Sequence, residues 1–179
     1  IITEGDFESY DKVEGLVREA LQVGERDTGT TDIFSNLDTV LDEDFRHPIA
    51  IGIPGIDRLL KGGLAKGEIG VILAPTGVGK TTILTKIANN AFNLGYNVLQ
   101  IFFEDNPKIV QRKHFTLWTG IEPDNLVKHK EEVMAKITDI KETMKNELIL
   151  KKLPSDSMTM NQIKNQIRKM IADGTKIDL

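Results

Sequence analysis

The sequence predicts an α/β fold in which a parallel sheet is flanked by helices, and three observations carry that expectation. Apolar runs of strand length recur at 69–75, 97–104 and 147–153, and a further one opens at 176–179. The stretches between them space their apolar residues as helices do. A glycine-rich turn, "APTGVGKTT" at 74–82, joins the first run to the first long helix. Strand, helix, strand, helices, strand, helix, strand is the order of a doubly wound sheet.

Each element has its own local reason. Residues 6–23 read as an amphipathic helix, with Phe7, Tyr10, Val13, Leu16, Val17, Ala20 and Leu21 at helical spacing and Gly24 as a left-handed stop. The polar stretch "GERDTGTTD" follows like a linker, so residues 1–45 are expected to form an N-terminal arm and 46–179 the main domain. The arm either packs on its own domain or docks its apolar face on a neighbouring subunit. "IPGIDRLLKGGLAKGE" (53–68) predicts a short helix with Ile56, Leu59 and Leu60 on one side, broken by Gly62-Gly63. "IGVILAP" (69–75) has the continuous apolar character of a buried parallel strand.

The next helix is expected from about Gly79 to Leu94, with Ile83, Ile87 and Ala91 on one face. "NVLQIFFE" (97–104) reads as a second buried strand, and "NPKIVQRKHFTLW" as a helix started near Pro107. Residues 124–145 carry Leu126, Val133, Ile137, Ile140 and Met144 as one stripe among charges, the pattern of a surface helix with one buried side. "ELILKKL" (147–153) is a third strand. Thr159 with Gln162 makes a capping box for a helix running to about Ala172 and ended by Gly174, after which "KIDL" opens a fourth strand.

Composition narrows the function classes. With 179 residues, 40% hydrophobic and 28% charged, the chain can bury roughly 70% of its unfolded surface in one core. The absence of cysteine excludes disulfides and thiolate metal sites and permits a reducing cytosol. No apolar run reaches the roughly 20 residues of a membrane span. A net charge of −4 gives no global basic field for nucleic acid, so any such contact must be local. The N-terminus has neither Met nor the order of a signal peptide, so the chain is expected to be a piece of something longer.

Chemistry concentrates at 74–82. The pattern G-x-x-x-x-G-K-[ST] between a buried strand and a helix is a phosphate-binding loop, met here except that Ala74 stands in place of the first glycine. A polyphosphate needs inward-pointing backbone N–H groups, which Gly77 and Gly79 permit, and the helix beginning at Lys80 aims its positive end at the same anions. Pro75, Thr76, Gly77, Val78, Gly79, Lys80, Thr81 and Thr82 are therefore expected to bind ATP, with Lys80 serving the β- and γ-phosphates and Thr81 holding Mg²⁺. Ala74 lies at the strand end, where a methyl group is a small intrusion. If strand 97–104 lies beside the strand at 69–75, Glu104 faces the γ-phosphate and can orient the attacking water. The alternative is an acid that ends a strand and begins a turn.

The segment from Gly52 to Asp105 resembles the RecA-like ATPase core of DnaB-type hexameric replicative DNA helicases, phage forms included. The likeness rests on the lead-in Gly55-Ile56-Asp57-Arg58-Leu59-Leu60 through Gly62-Gly63, the loop with a small residue at its first position, and Asn97-Val98-Leu99 running to Glu104. It extends to residue 179. It implies a RecA-like P-loop NTPase, catalytic Glu104 and Lys80, a homo-oligomeric hexamer ring held by N-terminal arms, and a cytoplasmic setting, that of a host if phage-encoded. It also implies single-stranded DNA as partner, through regions mostly beyond Leu179, where the Walker B Asp, arginine finger and DNA-binding loops would fall. Asp178 sits too early to be the Walker B acid. Arg112 and Lys113 lie near a basic position of the family but read as exposed helix charges. Two other readings stand beside the helicase: a RecA-fold ATPase of the KaiC or RadA kind, mildly favoured by the doubled acid Glu104-Asp105, and a small-substrate kinase.

Overall fold

The computed structural model describes residues 32–34, 38, 41, 46–154 and 158–179, and the helix expected over 6–23 lies outside them. The chain divides into two units, Ile1–Phe45 and Arg46–Leu179. The second contains helix α1 (Pro54–Leu59), α2 (Lys80–Asn93), strand β1 (Val98–Phe102), α3 (Pro107–Thr119), α4 (Lys130–Thr143), β2 (Leu148–Lys152) and α5 (Met160–Ala172).

The sheet is parallel. β1 pairs with β2 from Val98 opposite Leu148 to Phe102 opposite Lys152. The chain end lies along the other edge of β1: Leu179 N donates to Asn97 O at 3.2 Å and Leu99 N to Leu179 O at 2.8 Å. Successive N–H groups of a strand point to opposite sides. Val98 N serves Glu147 while Leu99 N serves Leu179, so β1 lies between its two neighbours. Within the stretch where "KIDL" predicts a fourth strand, Asp178 and Leu179 bond along β1 without forming a strand element. Asp178 is occupied structurally, its carboxylate accepting from Asn97 N and Nδ2 at 2.8 and 2.9 Å.

Local signals set most boundaries. Asn106 caps α3 by accepting from Lys108 N at 2.9 Å, Pro107 starts it, and Gly120 ends it in the left-handed region. α5 has the full capping box of Thr159 and Gln162. The stripe over 124–145 is as expected, with Leu126 and Val133 buried and Ile137, Ile140 and Met144 half-buried, but 123–129 form turns and the helix begins only at Lys130. The core gathers Ala88, Ala91 and Phe92 of α2 with Val98, and packs Trp118, Ile140, Met144 and Leu148 around them. The rings of Phe92 and Trp118 meet at 5.5 Å.

Two expectations need correction. Among the described residues 69–75 form no strand: none pairs with them, and Ile69, Val71 and Leu73 are 87%, 83% and 96% exposed. A strand is made by its ladder, and an apolar run without a neighbour has nothing to bury against. The face expected on α2 is met in part, with Ala91 buried and Ile87 half-buried. Thr85, Ala88, Asn89, Ala91 and Phe92 are buried, whereas Ile83 is exposed. Two polar residues could move inside because partners on β1 and α3 receive them.

Candidate nucleotide site

The residues before the loop form a frame built from polar side chains. Asp57, on α1, accepts from the backbone N–H groups of Ile51, Gly52 and Ile53 at 2.8, 3.1 and 3.0 Å. The Arg46 guanidinium donates to Leu60 O, Lys61 O and Gly63 O and to both Glu68 oxygens, all within 3.0 Å. The arginine, with help from Ala65 N, holds the Glu68 carboxyl down to about 2. Ile49 and Leu64 exchange backbone hydrogen bonds in an antiparallel bridge. Gly63 permits that close approach, since a Cβ there would sit 2.0 Å from Ile49 O. Asn90 Nδ2 ties Ala50 O to α2 at 2.7 Å. The lead-in to the loop is therefore fastened to the helix that leaves it.

The loop itself explains why Ala74 is tolerated. Gly77 and Gly79 have φ of 83° and 100°, a conformation that costs any other residue dearly, whereas Ala74 is not in the left-handed region. What position 74 contributes is its carbonyl, which accepts from Lys80 Nζ at 2.7 Å, with Pro75 O accepting the same ammonium at 2.9 Å. Any residue can supply that oxygen. α2 starts from Gly79 without a side-chain cap. Among the described residues no protein acceptor meets the backbone N–H groups of 76–82, and the first backbone bond of the helix is Ile83 N to Gly79 O. Such a run at a helix N-terminus, next to a lysine, suits a polyanion. Thr81, half-buried in the first turn, suits the hard oxygen coordination that Mg²⁺ demands.

Glu104 follows the end of β1 by two residues and is exposed. The pairing premise for its role does not hold, because β1 has β2 and the chain end as neighbours rather than 69–75. Another link does connect β1 to the loop. Gln100 Nε2 reaches Thr85 Oγ1 at 3.4 Å. From Thr85 back to Lys80 the helix rises about 7 Å, and from Gln100 to Phe102 the strand rises about 7 Å. Thr85, five residues after Lys80, and Gln100, four residues before Glu104, are the points at which α2 and β1 are tied. Asp105, the neighbouring acid, pairs with Lys113 at 3.5 Å, so Lys113 is engaged rather than merely solvated.

The sequence reading missed a buried polar set. Thr85 Oγ1 donates to Thr81 O at 2.8 Å and Gln100 Nε2 donates to Thr85. Gln100 Oε1 faces His114 Nε2 at 2.9 Å, and His114 Nδ1 faces the Asn89 amide. Burial pushes the His114 imidazole down to about 4, so the ring is neutral. With the Gln100 amide committed to Thr85, His114 Nε2 carries the proton and Nδ1 is bare. The structure places Asn89 Oδ1 against Nδ1 and leaves Asn89 Nδ2 buried without a partner among the described residues; turning the amide about its last bond would bring Nδ2 to the bare Nδ1. The available signals were Gln100 interrupting an apolar run and Thr85 and Asn89 one turn apart on the helix.

Together these features define a P-loop nucleotide-binding α/β protein. Residues 49–178 match the family described as "ATPase: KaiC", and the chain belongs to that family. It is also similar to the DNA repair protein RadA of Aquifex aeolicus, 31% identical over 99 residues, which is 55% of this chain and 22% of the relative. The DNA repair protein RadA of Mycobacterium tuberculosis (strain H37Rv) is 24% identical over 104 residues, 58% of this chain and again 22% of the relative. The chain thus spans between a fifth and a quarter of the length of these curated relatives. Among the described residues no helix is long and apolar enough to cross a membrane.

Proposed function

We propose that the chain carries the nucleotide site of an ATP hydrolase that acts with DNA in recombination or repair. The observation that supports it best is the run of N–H groups from Thr76 to Thr82 without protein acceptors among the described residues, placed at the N-terminus of α2 beside Lys80. Pro75 to Thr82 enclose the phosphates, and Lys80 turns from the carbonyls of Ala74 and Pro75 to the β- and γ-oxygens. Thr81 holds Mg²⁺, which supplies charge neutralisation on the phosphate oxygens. Glu104 accepts the proton of the attacking water. DNA enters through the likeness to two DNA repair proteins, at the level of the whole protein.

A replicative helicase is the second reading, favoured by the lead-in Gly55–Gly63 and by the run from Asn97 to Glu104. It adds a hexameric ring held by the 1–45 arms and translocation on single-stranded DNA. Two assays separate the possibilities. ATP turnover by the whole protein, with and without single-stranded DNA, tests the DNA-directed ATPase, and the absence of stimulation refutes it. Unwinding of a forked duplex distinguishes the helicase. Failure to bind Mg²⁺–ATP at all overturns both readings.

A further inference from the structure

We propose that Thr85, Gln100 and His114 form a positioning network for the metal side of the nucleotide site, tying β1 to the first turn of α2 where Thr81 stands. This rests on the reading of 75–82 as a nucleotide site. The network has one continuous path. His114 Nε2 donates to Gln100 Oε1, Gln100 Nε2 donates to Thr85 Oγ1, and Thr85 Oγ1 donates to Thr81 O, at 2.9, 3.4 and 2.8 Å. It joins α3, β1 and α2, and Thr85 and His114 are 0% and 2% exposed. The path is thus anchored at two buried side chains, with Gln100 and Thr81 half-buried between and beyond them.

The first turn of α2 has little else to orient it. It has no side-chain cap, and its opening N–H groups have no protein acceptor among the described residues. The bond from Thr85 to Thr81 O fixes the residue whose hydroxyl would take the metal. Because Gln100 sits on β1, the same bond path ties the Thr81 backbone carbonyl to the strand leading to Glu104. An ordinary apolar contact at Thr85 would bury equal surface without specifying rotation. The hydroxyl supplies that direction.

The prediction concerns the gain in nucleotide affinity on adding Mg²⁺, which depends on the metal side of the site. A fluorescent ADP analogue is titrated into the chain in EDTA and in excess Mg²⁺, and the ratio of the two Kd values is compared among variants. Thr85→Val keeps the shape and removes the hydroxyl. It is expected to lower the ratio by about tenfold, the scale seen when a group orienting a metal ligand is lost. The Kd in EDTA should stay within a few-fold. Thr85→Ser keeps the hydroxyl and loses the methyl, and it should retain the wild-type ratio. Gln100→Met, which removes both polar atoms from the strand side, should reproduce the loss and serves if Thr85→Val does not fold. An unchanged ratio in Thr85→Val, an equal weakening with and without Mg²⁺, or a loss in Thr85→Ser as large as in Thr85→Val overturns the network. A wild-type chain that does not bind the analogue overturns the nucleotide site itself, a separable failure.

Discussion

Acidification should destabilise the protein through His114, by an amount the structure sets. The ring is 2% exposed. Its polar partners are the Asn89 and Gln100 amides, neither of which titrates. Burial pushes its pKa from 6.5 to about 4. Between those values the unfolded chain binds a proton that the folded chain refuses. The stabilisation is therefore complete above pH 6.5 and is lost as pH falls through 4. The gap corresponds to about 3 kcal/mol, a large part of the margin of a typical domain. Urea unfolding followed by circular dichroism at intervals from about pH 7 to pH 4.5 measures it. Carboxylates titrate in the same range, so the informative quantity is the difference from His114→Gln, in which they are unchanged. The variant keeps an amide for the neighbouring polar groups and should be less stable at pH 7 by about 1–3 kcal/mol. Its pH profile should be flatter, so the two proteins approach each other as pH falls. Parallel profiles, or a wild type that gains stability on acidification relative to the variant, would refute the buried neutral imidazole.

Other expectations follow from the site and its frame. Lys80→Ala should abolish Mg²⁺–ATP binding in calorimetric titration with little change in melting temperature, since the side chain's two bonds go to half-exposed loop carbonyls; unchanged affinity refutes the phosphate assignment. In the whole protein, Glu104→Gln should keep ATP affinity within a few-fold and lower turnover by roughly 10²-fold or more, whereas Asp105→Asn should leave turnover near wild type because that acid serves Lys113. The reverse result would move the base to Asp105. Asp57→Ala should cost about 2–3 kcal/mol in chemical unfolding by releasing three amides from a charged acceptor, and a loss below about 0.5 kcal/mol would show that water replaces it. Deleting residues 1–45 should dissociate an oligomer in light scattering if the arm docks on a neighbour. Loss of helical signal beyond the arm itself would mean that it packs on its own domain.

What could be read from the sequence was what local chemistry decides. Pro107 with Gly120, and Thr159 with Gln162 and Gly174, mark helix ends through bonds spanning a few residues, and α3 and α5 begin and end there. The loop was legible because its chemistry is contiguous, and Ala74 became intelligible once its φ and carbonyl were seen. The misreadings were non-local. Whether 69–75 forms a strand depends on a neighbour, not on its own residues. Thr85 and Asn89 go inside because Gln100 and His114, up to 25 residues away, receive them. Arg46 and Asp57 gave no sequence signal for the frame they hold, since their partners are backbone groups, which every sequence has.

The alternating exposure of Ile69, Val71 and Leu73 has a practical consequence. An uncharged segment rich in β-branched residues, with no ladder partner among the described residues, can serve as a template for strand addition between molecules. Residues 69–74 are such a window, and the gatekeepers at its ends are residues already used elsewhere. Glu68, kept ionised by Arg46 down to about pH 2, places a negative charge at one end. Pro75 removes a donor at the other. Aggregation seeded here would be confined to 69–74, would rise with protein concentration rather than with unfolding, and would leave Pro75 and the loop beyond it outside the growing sheet.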